Sequence, residues 1–205
     1  MEDISLISNR TIALIPFYGV SDDTLFKACT QLNMPNNFCK FANGINDVIT
    51  YMHTELEKFI TFNFENTENI KNFKTRDKIK HCINLCLLYY ETLPNFRELI
   101  KSILYFFSSP YNICFATQCV FRISSNIWYI SGDTSTDFNY YTKRLTLGTI
   151  YISTLIYFIN DFSDNHVNTL SFVDKRINNI LAFHKFKSRI KNKFYTDNNI
   201  FNVKF

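Results

Sequence analysis

Glycine and proline are scarce in this chain, with four of each in 205 residues. So few glycines yield no GxGxxG and no GxxxxGK followed by Ser or Thr, which excludes the common phosphate-cradling loops. Many-stranded sheets with tight turns are disfavoured for the same reason, and long helices are favoured. Catalytic pairings are missing as well. No HExxH, DxD, GxSxG or ExxH occurs, so no residue set can be nominated for hydrolysis or redox chemistry. The residues read as a binding module rather than an enzyme. Disorder is excluded by an apolar content of 46% against 20% charged residues.

Cysteine is present but unpatterned. The six cysteines stand at 29, 39, 82, 86, 114 and 119, and the histidines at 53, 81, 166 and 184 are scattered. No secretory leader precedes them, and Cys82 and Cys86 fall four apart inside an apolar helical pattern. They read as small buried hydrophobes rather than disulfides or zinc ligands. The opening MEDISLISNR has the pattern of neither a signal peptide nor an Arg-rich transit peptide.

Charge is unevenly spread. Residues 1–60 carry a net charge of −3, whereas Lys175–Phe205 carries +7. A basic, aromatic-bearing tail suits an anionic membrane surface or nucleic acid, and equally a solvated terminal helix. Two stretches lack charge altogether, Ser102–Phe121 and Leu145–Asn160. The first is broken around Pro110. The second is short of the roughly 20 residues that span a bilayer, so both read as buried helices.

What the chain has in abundance is aromatic rings: 22 Phe, 12 Tyr and one Trp. Their spacing is helical almost throughout. Helices are expected over Asp3–Ile15, closed by Pro16, and from a Ser21 N-cap to about Leu32. A short one follows at Asn36–Phe41, then Ile45–Phe62 with a stripe of Ile45, Val48, Ile49, Met52, Leu56 and Phe59. After a polar loop at 63–73 come Thr75–Leu93, Pro94–Phe107 and Pro110–Ile130. Phe138–Ile159 carries a core stripe of Phe138, Tyr141, Leu145, Gly148, Ile152, Leu155 and Ile159, and its other side is scarcely more polar. A further helix spans about Asn165–Phe183. No stretch alternates as a strand, so the fold class is all-α, with about nine or ten helices.

The first three short helices have the outline of a helix-turn-helix. The 36–41 segment offers only Lys40 as a cation, however, in a subdomain of negative charge. That makes a poor footprint for DNA and leaves a structural subdomain as the plainer reading. The segment GDTSTDFNYYTKR, residues 132–144, is the densest in chemistry. Asp137 is placed to cap the following helix, or to pair with Arg144 or a partner's basic group. Tyr140 lies opposite the core stripe, where it serves either as a binding anchor or in packing.

That same segment resembles the signature of the ubiquinone-biosynthesis accessory family of the ninth Coq protein. There the pattern is GDxSTDFNWYTKR, followed by a long helix and an acidic loop, as in residues 127–164. TLSFVDKRINNILAFHK, residues 169–185, resembles the family's next helix. PFYGVSDDTLFKAC and FANGINDVITYMHTELE look like its N-terminal helices in their bacterial form. This chain departs from the family in having Tyr140 where the family has Trp, which keeps an amphipathic anchor with less apolar area.

The resemblance implies a fold similar to TetR regulators. A degenerate helix-turn-helix subdomain (1–62) would precede a helical lipid-binding domain (74–184) and a basic amphipathic segment (185–205). It implies a homodimer without cofactor or metal, holding an isoprenoid or phospholipid. The implied role is non-catalytic: extracting a polyprenylated quinone intermediate and presenting it to the di-iron demethoxyubiquinone hydroxylase. The partner surface carried over is Asp137, Tyr140, Tyr141 and Arg144. Lipid contacts are expected from Phe107, Phe115, Trp128, Gly148, Tyr151 and Leu155, on helices whose walls lack charge. Lys185, Phe186, Lys187, Arg189, Ile190, Lys191, Lys193 and Phe194 form the pattern of a helix lying in a membrane interface. Location follows as the cytoplasmic face of a bacterial inner membrane, or the mitochondrial matrix face in a eukaryote. A lipid-sensing TetR-type regulator and a ligand-free structural protein are the competing readings.

Overall fold

The computed structural model describes residues 2–136 and 138–178. Among these residues every regular element is helical. The α-helices are α1 (Glu2–Tyr18), α2 (Asp22–Gln31), α3 (Ile45–Glu65), α4 (Thr75–Glu91), α5 (Phe96–Ser108), α6 (Ile113–Ile130) and α7 (Phe138–Phe158). An eighth, α8, occupies 167–178. Single 3-10 turns lie at Pro35–Lys40, Ile70–Asn72, Pro110–Asn112 and Asp164–His166.

The N-terminal helices are set by local chemistry. The Ser21 hydroxyl accepts the backbone N–H of Thr24 at 3.3 Å, capping α2. Asp22, in the first turn of α2, reaches across to accept the Ile45 N–H at 2.7 Å, so one acid fixes where α3 begins. Gly44 sits just before it with a φ of +57°, and a Cβ there would collide with the Asp22 carboxylate. Lys40 pairs with Asp3 at 2.9 Å and closes the subdomain onto α1.

The core follows the expected stripes of α3 and α4. Val48, Ile49, Met52 and Leu56 are buried against Cys82, Ile83, Cys86 and Tyr90. α1 packs on α2, α3 and α5, and α6 packs on both α3 and α7. Lys80 on α4 pairs with Asp174 at 2.7 Å and holds α8 in place. No helix among the described residues is long and apolar enough to cross a membrane.

Several expectations need correction. Pro16 does not end α1, because it lies inside the last turn, which Gly19 closes through an N–H to Ile15 carbonyl bond of 2.8 Å. The Asn36–Phe41 helix is a six-residue 3-10 turn. Cys39 and Cys114 are exposed, whereas Cys29, Cys82, Cys86 and Cys119 are buried. The α7 stripe is misassigned at its N-terminal end. Phe138, Tyr141 and Leu145 face solvent, and the buried side is Arg144, Leu147, Gly148, Ile150, Tyr151, Thr154, Leu155 and Phe158. Both sides of α7 are apolar, so periodicity does not rank them, and the side that turns inward carries Arg144 against Asp133.

Candidate functional site

That contact centres on Asp133, in the turn between α6 and α7. Its carboxylate accepts the Lys143 ammonium at 2.6 Å, the Ser135 hydroxyl at 2.9 Å and the Arg144 guanidinium at 3.2 Å. Burial penalises the charge on Asp133, but the bonds from Lys143, Ser135 and Arg144 outweigh it and hold the carboxyl at about 2. Arg144 also donates to the Ser125 hydroxyl (3.2 Å) and the Tyr140 carbonyl (3.1 Å). The Trp128 indole donates to the Lys143 carbonyl at 3.0 Å. Residues 132–144 thus lock the α6–α7 turn to the first turns of α7.

Aromatic rings cover this knot. The Tyr140 ring lies 3.4 Å from the Arg144 guanidinium, in cation–π contact. Tyr141 meets Tyr140 edge-on at 5.1 Å and stacks with Phe121 at 6.4 Å. Tyr141 is the exposed member, reversing the expected roles of the two tyrosines. Arg144 is buried and serves as a strut rather than a surface charge. Asp137 lies outside the described residues.

From Arg144 an open apolar groove of about 590 Å³ runs between α5, α6 and α7. Its walls include Leu104, Phe107, Ala116, Val120, Leu145 and Ile156, and Ile113 and Ser108 stand at the far end. Gly148 is its floor. A Cβ there would approach Val120 Cγ1 to 2.8 Å and Ser124 Oγ to 3.4 Å, so glycine is what lets α7 approach α6. The helices run antiparallel, and the spacing from Arg144 to Ile156 gives a length of about 18 Å at 1.5 Å per residue.

The expected lipid contacts do not all converge. Phe107 and Gly148 line the groove. Phe115 packs edge-on against Phe107 at 6.0 Å. Trp128 lines a separate pocket of about 300 Å³ between α4, α6, α7 and α8. Tyr151 and Leu155 are core residues, the Tyr151 hydroxyl bonding to that of Tyr90 at 2.8 Å. The expected membrane-binding residues, Lys185 to Phe194, lie outside the described residues. Asp133 and Ser125 were missed as partners of Arg144. An acid one residue after Gly132, with two basic residues ten and eleven positions later, is the signal in the sequence.

A second buried acid ends the site. Asp161, after α7, accepts the Thr169 hydroxyl and N–H at 2.6 and 2.8 Å and the Ser163 hydroxyl and N–H at 2.6 and 2.9 Å. Burial opposes its ionisation, yet these four bonds hold the carboxyl well below the usual range. Arg97, flanked by the Phe96 and Phe162 rings, donates to the Asp161 carbonyl at 2.8 Å. The α7–α8 corner is thereby fixed as firmly as the α6–α7 turn. No group of His, Cys, Asp or Glu among the described residues could hold a metal.

The sequence profile of the COQ9 family matches residues 113–184, a stretch that includes α6, α7 and α8. A probable mitochondrial ubiquinone biosynthesis protein coq9 of Dictyostelium discoideum is 25% identical over 196 residues, covering 90% of this chain and 62% of that protein. The human ubiquinone biosynthesis protein COQ9, mitochondrial, is 24% identical over 151 residues, covering 74% of this chain and 45% of its own length. That of Drosophila melanogaster is 32% identical over 98 residues, 48% of this chain and 30% of the relative. The chain therefore spans less than two thirds of each of these proteins, and all three are eukaryotic, not bacterial. The α6–α7 site lies inside the stretch that is similar to the COQ9 profile, residues 113–184.

Proposed function

We propose that this protein is a non-catalytic, lipid-binding accessory factor of ubiquinone biosynthesis. It takes a polyprenylated quinone intermediate from the membrane and presents it to the demethoxyubiquinone hydroxylase. The observation that carries this reading is the apolar groove, which starts beside the signature segment and runs along α7. Arg144, the charged residue lining it, is already satisfied by Asp133, so the path beyond Arg144 is free of charge. Apolar burial at roughly 25 cal/mol per Å² offsets the cost of drawing an isoprenoid or phospholipid tail out of a bilayer.

The pathway is supported by the names of the relatives, and their mitochondrial label favours the matrix face of the inner membrane over a bacterial one. A TetR-like architecture, with a helix-turn-helix-like region over 1–62, a lipid domain over 74–184 and homodimerisation, belongs to the same reading. Tyr141, with Tyr140 behind it, is the aromatic contact offered to the hydroxylase. The basic segment 185–195 holds the protein at the membrane.

Lipid extraction of the purified protein, paired with a 185–195 deletion tested on liposomes, examines both halves. Co-purifying prenyl lipid, with liposome binding reduced in the deletion, is the expected result. A lipid-free protein would overturn the carrier role, and undiminished binding by the deletion would overturn the role of the tail.

A further inference from the structure

The far end of the groove opens at the corner where α5 turns into α6. This corner sits inside Ser102–Phe121, a run with no charged residue. A folded surface corner normally carries charge, yet here large rings point outward. Tyr111, in the Pro110–Asn112 turn, is 96% exposed, and Tyr105 is 81% exposed on the last turns of α5. Ile113 is more than half exposed at the first position of α6 and lines the end of the groove. Tyr18, also more than half exposed, shares a crevice with Tyr105, Phe106 and Asn112. α1 therefore extends the aromatic surface.

Charged groups stand only at the margin, with the exposed Asp23 one turn before Lys27. Lys27 sits 3.5 Å over the Tyr18 ring. Lys101, one turn before Tyr105, is the basic residue on the α5 side, and Glu98 is tied to it at 2.6 Å. The patch is thus an uncharged, tyrosine-rich tip with lysine at its edge. Tyrosine has an apolar ring and a polar hydroxyl, which places it at the headgroup level of a bilayer. Lys27, beside the Tyr18 ring, is the cation placed to meet a headgroup phosphate.

We infer that the α5–α6 corner, built on Tyr105, Tyr111 and Ile113, is a bilayer-docking surface that sets the open end of the groove against the membrane. It lies at the opposite end of the groove from the Tyr140–Tyr141 contact, and its residues are distinct in sequence from the basic 185–195 segment. Docking itself does not require the groove to be a lipid carrier. What rests on the proposed function is only that the opening so placed admits lipid.

The two exposed thiols supply the test. In full-length Cys39→Ser protein, an environment-sensitive fluorophore at Cys114 reports the corner, because the remaining described cysteines are buried. Vesicles of phosphatidylcholine with one fifth phosphatidylglycerol, some carrying a headgroup-level spin-labelled lipid, are the probe. The expected result is a blue shift and quenching of the Cys114 probe. The Tyr105→Ser/Tyr111→Ser/Ile113→Ser protein should lose about tenfold in vesicle partitioning, with Tm unchanged because all three side chains are exposed. A probe that stays in water while the protein floats with vesicles would overturn the inference, as would undiminished partitioning of the triple variant. Self-association lost in the triple variant with vesicle binding intact would instead mean that the corner meets a second copy of the chain, and would also overturn it. Lipid extraction from the same preparations separates failure of docking from failure of carriage.

Discussion

Asp133 and Arg144 face each other at 3.2 Å with side chains 3% and 5% exposed. An acid at that burial is tolerable only because it is paired, and removing one partner of a buried pair typically costs about 3–5 kcal/mol. Asp133→Ala should therefore lower stability by about that amount, read by urea unfolding. Because the folded carboxyl sits at about 2, below its ordinary 3.8, its contribution is fully present above pH 3.8 and fades as pH falls toward 2. The difference between parent and variant should be flat near neutrality and shrink only in acid. A difference that persisted unchanged at pH 2 would contradict the pairing.

Gly148→Ala sets two effects against each other. Alanine gains about 1 kcal/mol of helix propensity, but its Cβ meets Val120 Cγ1 at 2.8 Å, and overpacking costs about 1–3 kcal/mol. Packing should win, lowering Tm, and adding Val120→Ala should restore most of the loss. Stabilisation by the single change would show that α6 and α7 are not in close contact there.

His53 is buried in α3, stacked with Phe107, and neither ring nitrogen has a hydrogen-bond partner among the described residues. Burial, and then nearby Arg122, depress its pKa to about 4 from an ordinary 6.5. The unfolded chain therefore binds the extra proton between pH 4 and 6.5. Stability from this site is complete above pH 6.5 and is lost as pH falls to 4, by about 3 kcal/mol in total at 1.36 kcal/mol per pH unit. His53→Leu should flatten that slope in denaturant titrations at pH 4.5, 5.5 and 7. An unchanged slope would place the responsible proton elsewhere.

The Tyr90 and Tyr151 hydroxyls satisfy one another at 2.8 Å in the core. Tyr151→Phe leaves the Tyr90 hydroxyl unpaired and should cost about 1–3 kcal/mol. Tyr90→Phe/Tyr151→Phe should recover much of it. Additive losses in the double-mutant cycle would mean that the pair is not coupled.

The helical class and most helix limits could be read from the sequence. The α3 stripe is readable because that helix has one dominant apolar side, and the Ser21 cap because its chemistry is local; the α4 stripe is buried, but so are Leu85 and Tyr89 outside it. α7 was not readable in the same way. With Tyr, Leu and Ile on both sides, spacing alone does not rank them, and the inward side is the one that places Arg144 against Asp133, a tertiary contact. The Pro35–Lys40 segment failed for a related reason: six residues opened by a proline suit a 3-10 turn as well as a helix. At the site, sequence reasoning marked the 132–144 segment and Gly148 but scattered the lipid contacts. Tyr151 and Leu155 were chosen for apolarity, which core and groove residues share.

The most direct test of the account fills the groove. Ile152, half-buried on its wall, can be replaced by Trp while the Asp133 knot stays intact. Native mass spectrometry of the full-length protein should show bound lipid in the parent and a loss of at least about tenfold in Ile152→Trp, with Tm unchanged. Equal lipid occupancy in the two proteins would contradict the claim that this groove is the lipid site.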